Sequence, residues 1–375
     1  MWITLRNIWN LCQKEFKSVL SDYVLMGLIV VMFSVATYSV AKGIAVEVKN
    51  GAVAVVNEDR SALSWRLIDA LRTPHFQTPV LIEQDEIDRL MDTSQYTFIL
   101  VIPENYEKDL IQQRNPDLQL LIDATAVSQA GLGAAFIQQV VMEETATYFL
   151  QSNPLSQLPM EMVTKVLFNP NADYTWFAGP MQIVSNASLL AMLLVGAAII
   201  REKERGTIEH LLVMPVRAFE IAMAKVISNS IVITIASVLS LYLVINLWLG
   251  IPLVGSVPLF LLSLMIFLFS VSSLGILLST IAPTMPQFGL LVIPVYVVMR
   301  LLSGGESPRE GMPDWVQVMT LFSPQTQFVQ TTQNILNRQA GIDIIWPNLI
   351  YMSIMAIVFF TLALFRFKKM LSNQG

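Results

Sequence analysis

A stretch of 74 consecutive residues, from Val226 to Met299, contains no Asp, Glu, Lys, Arg or His. A helix that crosses the apolar core of a bilayer needs about 20 residues, so this stretch is long enough for about three crossings. Glycines and prolines divide it at residues 250–258 and again at Pro283 and Pro286. Because lipid offers no hydrogen-bond partner to the backbone, each segment is predicted to be helical. The chain is therefore predicted to be a polytopic membrane protein.

Six apolar stretches are predicted to cross the membrane. The first follows basic residues, as a signal peptide would, but its 19 uncharged residues exceed the about 7–15 apolar residues of a cleaved signal. We therefore expect it to be retained as an anchor, over residues 23–42. The fifth stretch is the shortest and carries Arg300 near its end. The six stretches are Tyr23–Ala41, Trp176–Ile200, Val226–Leu249, Leu259–Ala282, Gln287–Leu302 and Trp346–Phe365.

Basic residues indicate the orientation, because segments rich in Lys and Arg beside membrane helices stay in the cytoplasm. With six crossings, one side receives residues 1–22, 201–225, 283–286 and 366–375, which hold 11 of the 23 basic residues. Both termini are therefore predicted to be cytoplasmic. Residues 1–22 are predicted to form an interfacial helix lying on the inner membrane surface. Its apolar stripe comprises Ile8, Leu11, Cys12, Phe16 and Val19.

The segment between the first two crossings, residues 43–175, has the composition of a water-soluble domain. It carries 18 acidic and 8 basic residues, and the predicted orientation places it outside the cytoplasm. Runs rich in β-branched and aromatic residues alternate with helical patterns, which is typical of an α/β domain with a partly parallel sheet. The predicted strands are residues 52–56, 78–82, 96–102 and 118–122. The predicted fold class is thus an α-helical polytopic membrane protein with six transmembrane helices and an inserted extracytoplasmic α/β domain.

Composition argues against several classes of function. The acidic pI, about 5.2, argues against nucleic acid as a partner. Cys12 is the only cysteine, and the two histidines, His75 and His210, are far apart, so neither a disulfide nor a Cys- or His-based metal site is expected. The carboxylates of residues 43–175 lie in predicted turns and on helix faces, where a solvated acidic surface is the simplest interpretation. We predict no catalytic, cofactor-binding or metal-binding residue in this chain.

The charged loop between the second and third crossings, residues 201–215, predicts a short amphipathic helix at the cytoplasmic surface. Ile208, Leu211 and Leu212 have the spacing of one helix face, and Pro215 would end the helix. Mixed charges in so short a segment suit an element that docks onto another protein. A plain solvated loop explains the same charges equally well.

This loop also carries a motif. The run Glu202-x-Glu204-x-Gly206-Thr207-x-Glu209-x-Leu211-Leu212-x-x-Pro215 resembles the signature of ABC-2 type transporter permeases. Residues 53–61 are similar to the start of the large extracytoplasmic insert of that family, and residues 273–279 resemble its fourth span. Residues 303–345 resemble the short outer helices that precede its last span. The resemblance extends over nearly the whole chain, including the spans within residues 176–375.

In that family the loop after the second span is the coupling helix, which sits in a groove of a cytoplasmic ABC ATPase subunit. This chain contains no Gly-x-x-x-x-Gly-Lys-Ser/Thr phosphate-binding loop, so ATP and Mg²⁺ are expected on the partner ATPase. The resemblance implies that carboxylates of the loop pair with basic residues of the ATPase and that a glycine permits a tight turn. The residues expected to couple are Glu202, Glu204, Gly206, Thr207, Glu209, Leu211 and Leu212.

The resemblance also implies further partners. A second permease copy, or a related permease, would complete the transport pathway within the membrane lipid. The large insert is typical of a multidrug-efflux-like branch, which implies a periplasmic membrane-fusion adaptor, a bacterial inner-membrane location and efflux of hydrophobic or amphipathic compounds. Asn186 is the candidate for lining the pathway, because the second span is a usual pathway element of the family. Hydrogen bonding between helices is the alternative explanation for such a polar residue.

Other classes of function remain open at this stage. An ion-coupled secondary transporter usually keeps ionisable residues within its spans, and the second, third and fourth predicted spans contain none. A membrane receptor with a ligand-binding outer domain would need neither six crossings nor the motif of the loop. A membrane enzyme would need a clustered nucleophile, base or metal ligand, which the sequence does not indicate.

Overall fold

The computed structural model describes residues 2–43, 51–72, 76–92, 95–112, 114, 116–122, 127–152, 174–206, 216–306, 309 and 312–372. The chain divides into two compact units. One comprises residues 1–43 and 168–375 and is here named the membrane unit. The other comprises residues 44–167 and is named the inserted unit.

Helices make up most of the described chain, and strands occur in the inserted unit. The elements in chain order are α1 (Trp2–Ser21), α2 (Tyr23–Gly43), β1 (Val53–Asn57), α3 (Ala62–Ala70), β2 (Val80–Leu81), α4 (Ile87–Asp92), β3 (Phe98–Ile102), α5 (Tyr106–Ile111), β4 (Gln119–Ile122), α6 (Val127–Ser152), α7 (Thr175–Glu204), α8 (Ala218–Trp248), α9 (Val257–Ile281), α10 (Met285–Leu301), α11 (Asp314–Thr320), α12 (Pro324–Thr332) and α13 (Ile342–Ser372). Within the described ranges, three π-helical segments accompany them, within α2 at Met32–Ala36, at the end of α8 at Ser240–Trp248, and after α12 at Gln333–Asn337.

Among the described residues, five helices are long and apolar enough to cross a membrane, namely α2, α7, α8, α9 and α13. The helix α10 is also apolar but has only 17 residues. Each of the six stretches predicted as crossings overlaps one of these helices. Two helices continue well past their predicted carboxyl ends, α13 from Phe365 to Ser372 and α7 from Ile200 to Glu204. In α7 the last, charged residues complete another helical turn.

The most deeply buried of the long helices is α7. In its most apolar window 83% of the residues are buried, against 22% in α2 and in α13. Its neighbour α9 approaches closely at Gly275, where a Cβ atom would lie 2.7 Å from the carbonyl oxygen of Met192 in α7. Small residues at helix contacts are typical of packed membrane helices. The central helix of the unit is therefore the one that ends in the charged motif.

The described part of segment 303–345, where short outer helices are predicted, contains the two short helices α11 and α12. The first six residues of α12 are all buried in the membrane unit. The ring of Phe328 stacks on Phe267 of α9 with ring centroids 4.4 Å apart, and the Ser188 hydroxyl of α7 donates to Gln325 Oε1 at 3.0 Å. A helix rich in Gln and Thr is buried here because its side chains find such partners in the core.

The inserted unit contains a four-stranded mixed sheet in the order β2-β1-β3-β4. Strand β1 lies parallel to β2 and β3, whereas β4 is antiparallel to β3. Alternate residues of a strand face opposite sides, so Val53 packs with Leu63 of α3 on one side and Ala54 packs with Ile87 of α4 on the other. Helices therefore cover both faces of the sheet.

Glu107 of α5 joins three helices of the inserted unit. Its Oε1 accepts a hydrogen bond from the Tyr148 hydroxyl of α6 at 2.8 Å, and its Oε2 accepts from the Leu63 backbone N–H of α3 at 3.2 Å. Burial raises the pKa of Glu107, but these hydrogen bonds outweigh the burial and hold the pKa below its ordinary value. The ionised carboxylate therefore stabilises the contact of the three helices.

Candidate functional site

The structure describes three of the seven residues that are predicted to couple this chain to an ATPase: Glu202, Glu204 and Gly206. Residues 201–204 form the last turn of α7, and residues 207–215 of the predicted coupling helix lie outside the described part of the chain. Arg201 and Lys203 lie in this turn, where basic side chains interact favourably with the carboxyl end of a helix. The other four predicted residues lie outside the described part of the chain: Thr207, Glu209, Leu211 and Leu212.

Gly206 ends α7 in a left-handed backbone conformation, with φ of +67°. Its N–H donates to the carbonyl oxygen of Lys203 at 3.2 Å. A Cβ atom at Gly206 would meet no atom within 4 Å, so the backbone angle and not the available space favours glycine here. This geometry provides the tight turn that the motif was expected to need.

The side chain of Glu202 contacts two lysines of this same chain. Its Oε2 lies 3.0 Å from Nζ of Lys225 in α8, and its Oε1 lies 3.2 Å from Nζ of Lys14 in α1. The side chain is only 16% exposed. The carboxylate therefore has partners within the membrane unit, whereas the family resemblance had paired it with basic residues of an ATPase.

Lys225 is the centre of this arrangement. Its side chain is 1% exposed, and Nζ also lies 2.9 Å from Oε1 of Glu15 in α1. We name Lys14, Glu15, Glu202 and Lys225 the charge cluster. A buried ammonium group is tolerated only where opposite charges and hydrogen bonds replace its lost hydration. Three helices, α1, α7 and α8, each supply at least one member of the cluster.

The helix α1 lies along the first turns of α8. The Asn7 side-chain amide donates to Glu220 Oε2 at 3.2 Å, and the Ser228 hydroxyl donates to the Cys12 carbonyl oxygen at 3.2 Å. Together with the Glu15–Lys225 pair, these contacts follow α1 over about two and a half turns. The two helices are therefore joined along their length and not at one point.

The apolar stripe of α1 was expected to lie on the membrane, but it packs inside the membrane unit. Val19 is buried in the main apolar core, and Leu11 packs against a second apolar cluster that includes Val226 of α8. A different set of apolar side chains remains exposed on α1 at helical spacing, and these form the surface that is left for lipid. They are Trp2, Leu5 and Trp9.

Two further contacts hold the end of α7. Arg201 Nη1 lies 3.2 Å from Oδ2 of Asp22, whose other oxygen accepts from the Leu25 N–H at the start of α2. Glu204 Oε1 accepts from the Met285 N–H at the start of α10 at 2.8 Å. Carboxylates at these positions satisfy N–H groups that helix starts leave open. The last turn of α7 thus contacts α1, α2, α8 and α10.

A cavity of about 250 Å³ lies beside the charge cluster. Its lining includes Arg201, Arg205 and Asn229. Asn229 is 1% exposed, and its Oδ1 has no hydrogen-bond partner within the described structure, so the cavity is polar enough to hold water. Within the described residues, no group of three or more His, Cys, Asp or Glu could hold a metal ion. The arrangement is suited to holding helices together through charge.

Asn186, the predicted pathway residue, lies at the contact of α7 with α2. It is 1% exposed, and its amide donates to the Met32 carbonyl oxygen at 2.6 Å and to the Thr37 hydroxyl at 3.2 Å. Its Oδ1 accepts from the Gln182 amide at 2.9 Å. Met32 begins the π-helical segment of α2, where wider turns alter the backbone hydrogen bonding. These contacts correspond to the alternative explanation, hydrogen bonding between helices, and lining of a pathway stays a prediction.

The sequence-based reasoning did not identify Glu15 and Lys225 as a pair, although each carries a signal. Glu15 stands within the apolar stripe of α1, four residues from Leu11 and from Val19, and a carboxylate on such a stripe indicates a buried partner. Lys225 immediately precedes the 74-residue uncharged stretch. What the sequence lacks is a local sign that these residues, 210 positions apart, meet.

Comparisons with known proteins agree with the motif. A model of the ABC-2 family transporter protein matches residues 17–365. Inner membrane transport permease YhhJ of Escherichia coli (strain K12) is 43% identical over 373 residues, which cover 99% of each chain. Probable multidrug ABC transporter permease YbhR of the same organism is 28% identical over 344 residues, covering 91% of this chain and 93% of its own. Probable multidrug ABC transporter permease YbhS, also of that organism, is 21% identical over 98% of each chain.

The chain belongs to the ABC-2 transporter family, which confirms the resemblance seen in the sequence. Members of this family are membrane transport subunits. The apolar helices of the membrane unit are consistent with a polytopic protein of this class.

Proposed function

We propose that this chain is the membrane-spanning permease subunit of an ATP-driven exporter whose ATPase is a separate polypeptide. Its family supports the class of transporter, and the sequence has no phosphate-binding loop of its own, so ATP and Mg²⁺ would bind to the partner. The observation that carries the proposal is the position of Glu202, Glu204 and Gly206 at the end of the central helix α7. A force on the loop that follows would reach the core of the membrane unit directly.

The proposed topology has six crossings, with both termini in the cytoplasm and the inserted unit in the periplasm. The sixth crossing is α10, whose 17 residues span about 25 Å at 1.5 Å per residue, slightly less than a typical hydrocarbon core. Arg300 at its end can extend to the membrane surface. The basic residues near the ends of the helices support this orientation, and the name of the relative YhhJ supports the inner membrane.

The proposed assembly contains the ATPase, a second copy of this chain or a related permease, and a periplasmic membrane-fusion adaptor. The name of the relative YbhR as a probable multidrug permease supports export of hydrophobic or amphipathic compounds. Asn186 would line the pathway if α7 faces the second permease. The coupling residues would be those of the motif, including the four outside the described part of the chain.

Transport in proteoliposomes tests the proposal. The permease would be co-purified with its ABC ATPase, reconstituted, and supplied with a fluorescent hydrophobic dye. We expect dye export that requires ATP and stops with vanadate or when the phosphate-binding lysine of the ATPase is replaced. Export that continues without ATP and collapses when a protonophore is added would instead show an ion-coupled secondary transporter.

Labelling of cysteines tests the orientation in intact spheroplasts. In a Cys12→Ser background, a cysteine replacing Glu104 should react with an impermeant maleimide from outside. A cysteine replacing Glu209 should react only after the membrane is permeabilised. The opposite pattern would overturn the proposed topology.

A further inference from the structure

We infer that the Glu202–Lys225 ion pair is the joint through which movement of the loop after α7 reaches α8 and α1. This makes Glu202 a positioning residue that acts inside the permease, in place of a direct contact with the ATPase. The inference rests on the proposed function, because it concerns how an ATP-driven movement is passed on.

The first step is that α1 and α8 form a pair of helices that moves as one rigid unit. Contacts join them at three levels, through Asn7 and Glu220, through Cys12 and Ser228, and through Glu15 and Lys225. The thiol of Cys12 also contacts the carbonyl oxygen of Ala224, with 3.6 Å between the sulfur and the oxygen. A pair of helices held at several levels moves as a unit more readily than it separates.

The second step is that the ionic links from the end of α7 to this helix pair run through one side chain, whereas Val195 and Ile199, earlier in α7, share an apolar cluster with α8. The ion pairs that hold the end of α7 within the described structure are Glu202–Lys225, Glu202–Lys14 and Arg201–Asp22. Two of the three run through Glu202, and Arg201–Asp22 leads to the start of α2. Glu202 precedes the turn at Gly206 by about one helical turn. A displacement of the loop therefore reaches Glu202 before it reaches the apolar cluster that Val195 and Ile199 share with α8.

The third step is the charge balance of the cluster, which makes a clean test possible. Two carboxylates face a single fully buried ammonium group, while Lys14 is 55% exposed. Removing the charge of either carboxylate leaves Lys225 paired with the other. Glu15→Gln and Glu202→Gln are therefore matched changes in charge and volume. They differ in that Glu202→Gln weakens the link from α7, whereas Glu15→Gln weakens a link between α1 and α8 that other contacts still maintain.

The experiment measures movement of α1 when ATP is bound, in the full permease–ATPase complex in lipid nanodiscs. Spin labels would be placed on cysteines replacing Trp9 of α1 and Val318 of α11, both exposed, in a Cys12→Ser background. The distance distribution would be recorded with and without ATP plus vanadate for the unmodified chain, Glu15→Gln and Glu202→Gln. Co-purification of the ATPase and the melting temperature would be measured for each.

We expect the distance distribution to shift in the unmodified chain and in Glu15→Gln. In Glu202→Gln the ratio of shifted to unshifted molecules should be at least about fivefold smaller, at the low end of typical coupling between sites. The ATPase should co-purify equally with all three. A full change in Glu202→Gln would overturn the inference, and so would loss of the ATPase from that variant, which would indicate a direct contact. If the distance change were lost equally in Glu15→Gln and Glu202→Gln and both melting temperatures fell, the cluster would serve only to stabilise the fold. That result would also overturn the inference. Absence of any change in the unmodified chain would overturn the proposed function itself.

Discussion

Replacing Lys225 by Met would remove the ammonium group that the carboxylates of Glu15, which is buried, and Glu202, which is half-buried, share. The ammonium group that is removed lies 2.9 Å from Glu15 and 3.0 Å from Glu202, and the methionine side chain has a similar length but no charge. Removing one partner of a buried ion pair typically destabilises a protein by about 3–5 kcal/mol, because the other charge stays buried and uncompensated. Lys225→Met should therefore destabilise the membrane unit strongly.

The remaining lysine of the cluster sets the expected size of the effect. Lys14 Nζ stays 3.2 Å from Glu202 and 3.8 Å from Glu15, but its exposure to water weakens its attraction for both. We therefore expect about 3 kcal/mol, the lower end of the range. For a unit of this size, 1 kcal/mol changes the melting temperature by about 2–4 °C, so the melting temperature should fall by about 6–12 °C.

Thermal unfolding in detergent, followed by circular dichroism, measures this change. The matched control is Lys17→Met, which removes an exposed lysine of α1 and should shift the melting temperature by less than about 2 °C. Adding Glu202→Gln to Lys225→Met should recover part of the loss, because only one carboxylate then stays unpaired. Equal melting temperatures for Lys225→Met and the control would refute the reasoning.

Three other changes follow from the packing and the hydrogen bonds. Gly275→Ala should lower the free energy of unfolding by about 1–3 kcal/mol, because its Cβ would lie 2.7 Å from a backbone oxygen of α7. The control is Gly289→Ala, whose Cβ enters open space. Equal thermal stability of the two variants would contradict the close packing. Asn186→Leu should cost about 1 kcal/mol in thermal unfolding, as expected for a hydrogen bond between membrane helices; unchanged stability with an altered range of exported compounds would instead favour a pathway role. The folded-state pKa of Glu107 lies below its ordinary value of 4.5, so its stabilising contribution is present above that value and is lost as the pH falls through the folded-state pKa. Glu107→Gln should therefore weaken the inserted unit at neutral pH and make its stability less sensitive to acid. Hydrogen exchange of α6 amides, measured at neutral pH and at a pH below 4.5, would show this. An unchanged response to acid would count against this role.

Regular elements could be predicted from the sequence because their causes are local. The span around Trp176–Ile200 is visible because a bilayer demands about 20 apolar residues in a row. The predicted runs at 96–102 and 118–122 overlap β3 and β4, since β-branched and aromatic residues favour extended chain. The left-handed turn at Gly206 is local in the same way, because glycine adopts a positive φ readily whatever its distant neighbours are.

Features that depend on distant partners were not visible in this way. Burial of α12 depends on Ser188 and Phe267, which lie far away in the chain and provide a hydrogen bond and a stacked ring. Average hydropathy places a Gln- and Thr-rich helix at a surface, because it counts each polar group as if it had no partner. The charge cluster was hidden for the same reason, since neither Glu15 nor Lys225 indicates which distant residue neutralises it.

The separation of Glu15 and Lys225 has a consequence for synthesis. The ribosome must add 210 residues after Glu15 before Lys225 is made, which takes about 10–40 s at 5–20 residues per second. During that interval the amino-terminal helix has its anionic group but lacks the lysine that later neutralises it. We therefore expect the nascent α1 to stay at the membrane–water interface during this interval. It can pack against α8 only after the inserted unit and α7 have left the ribosome.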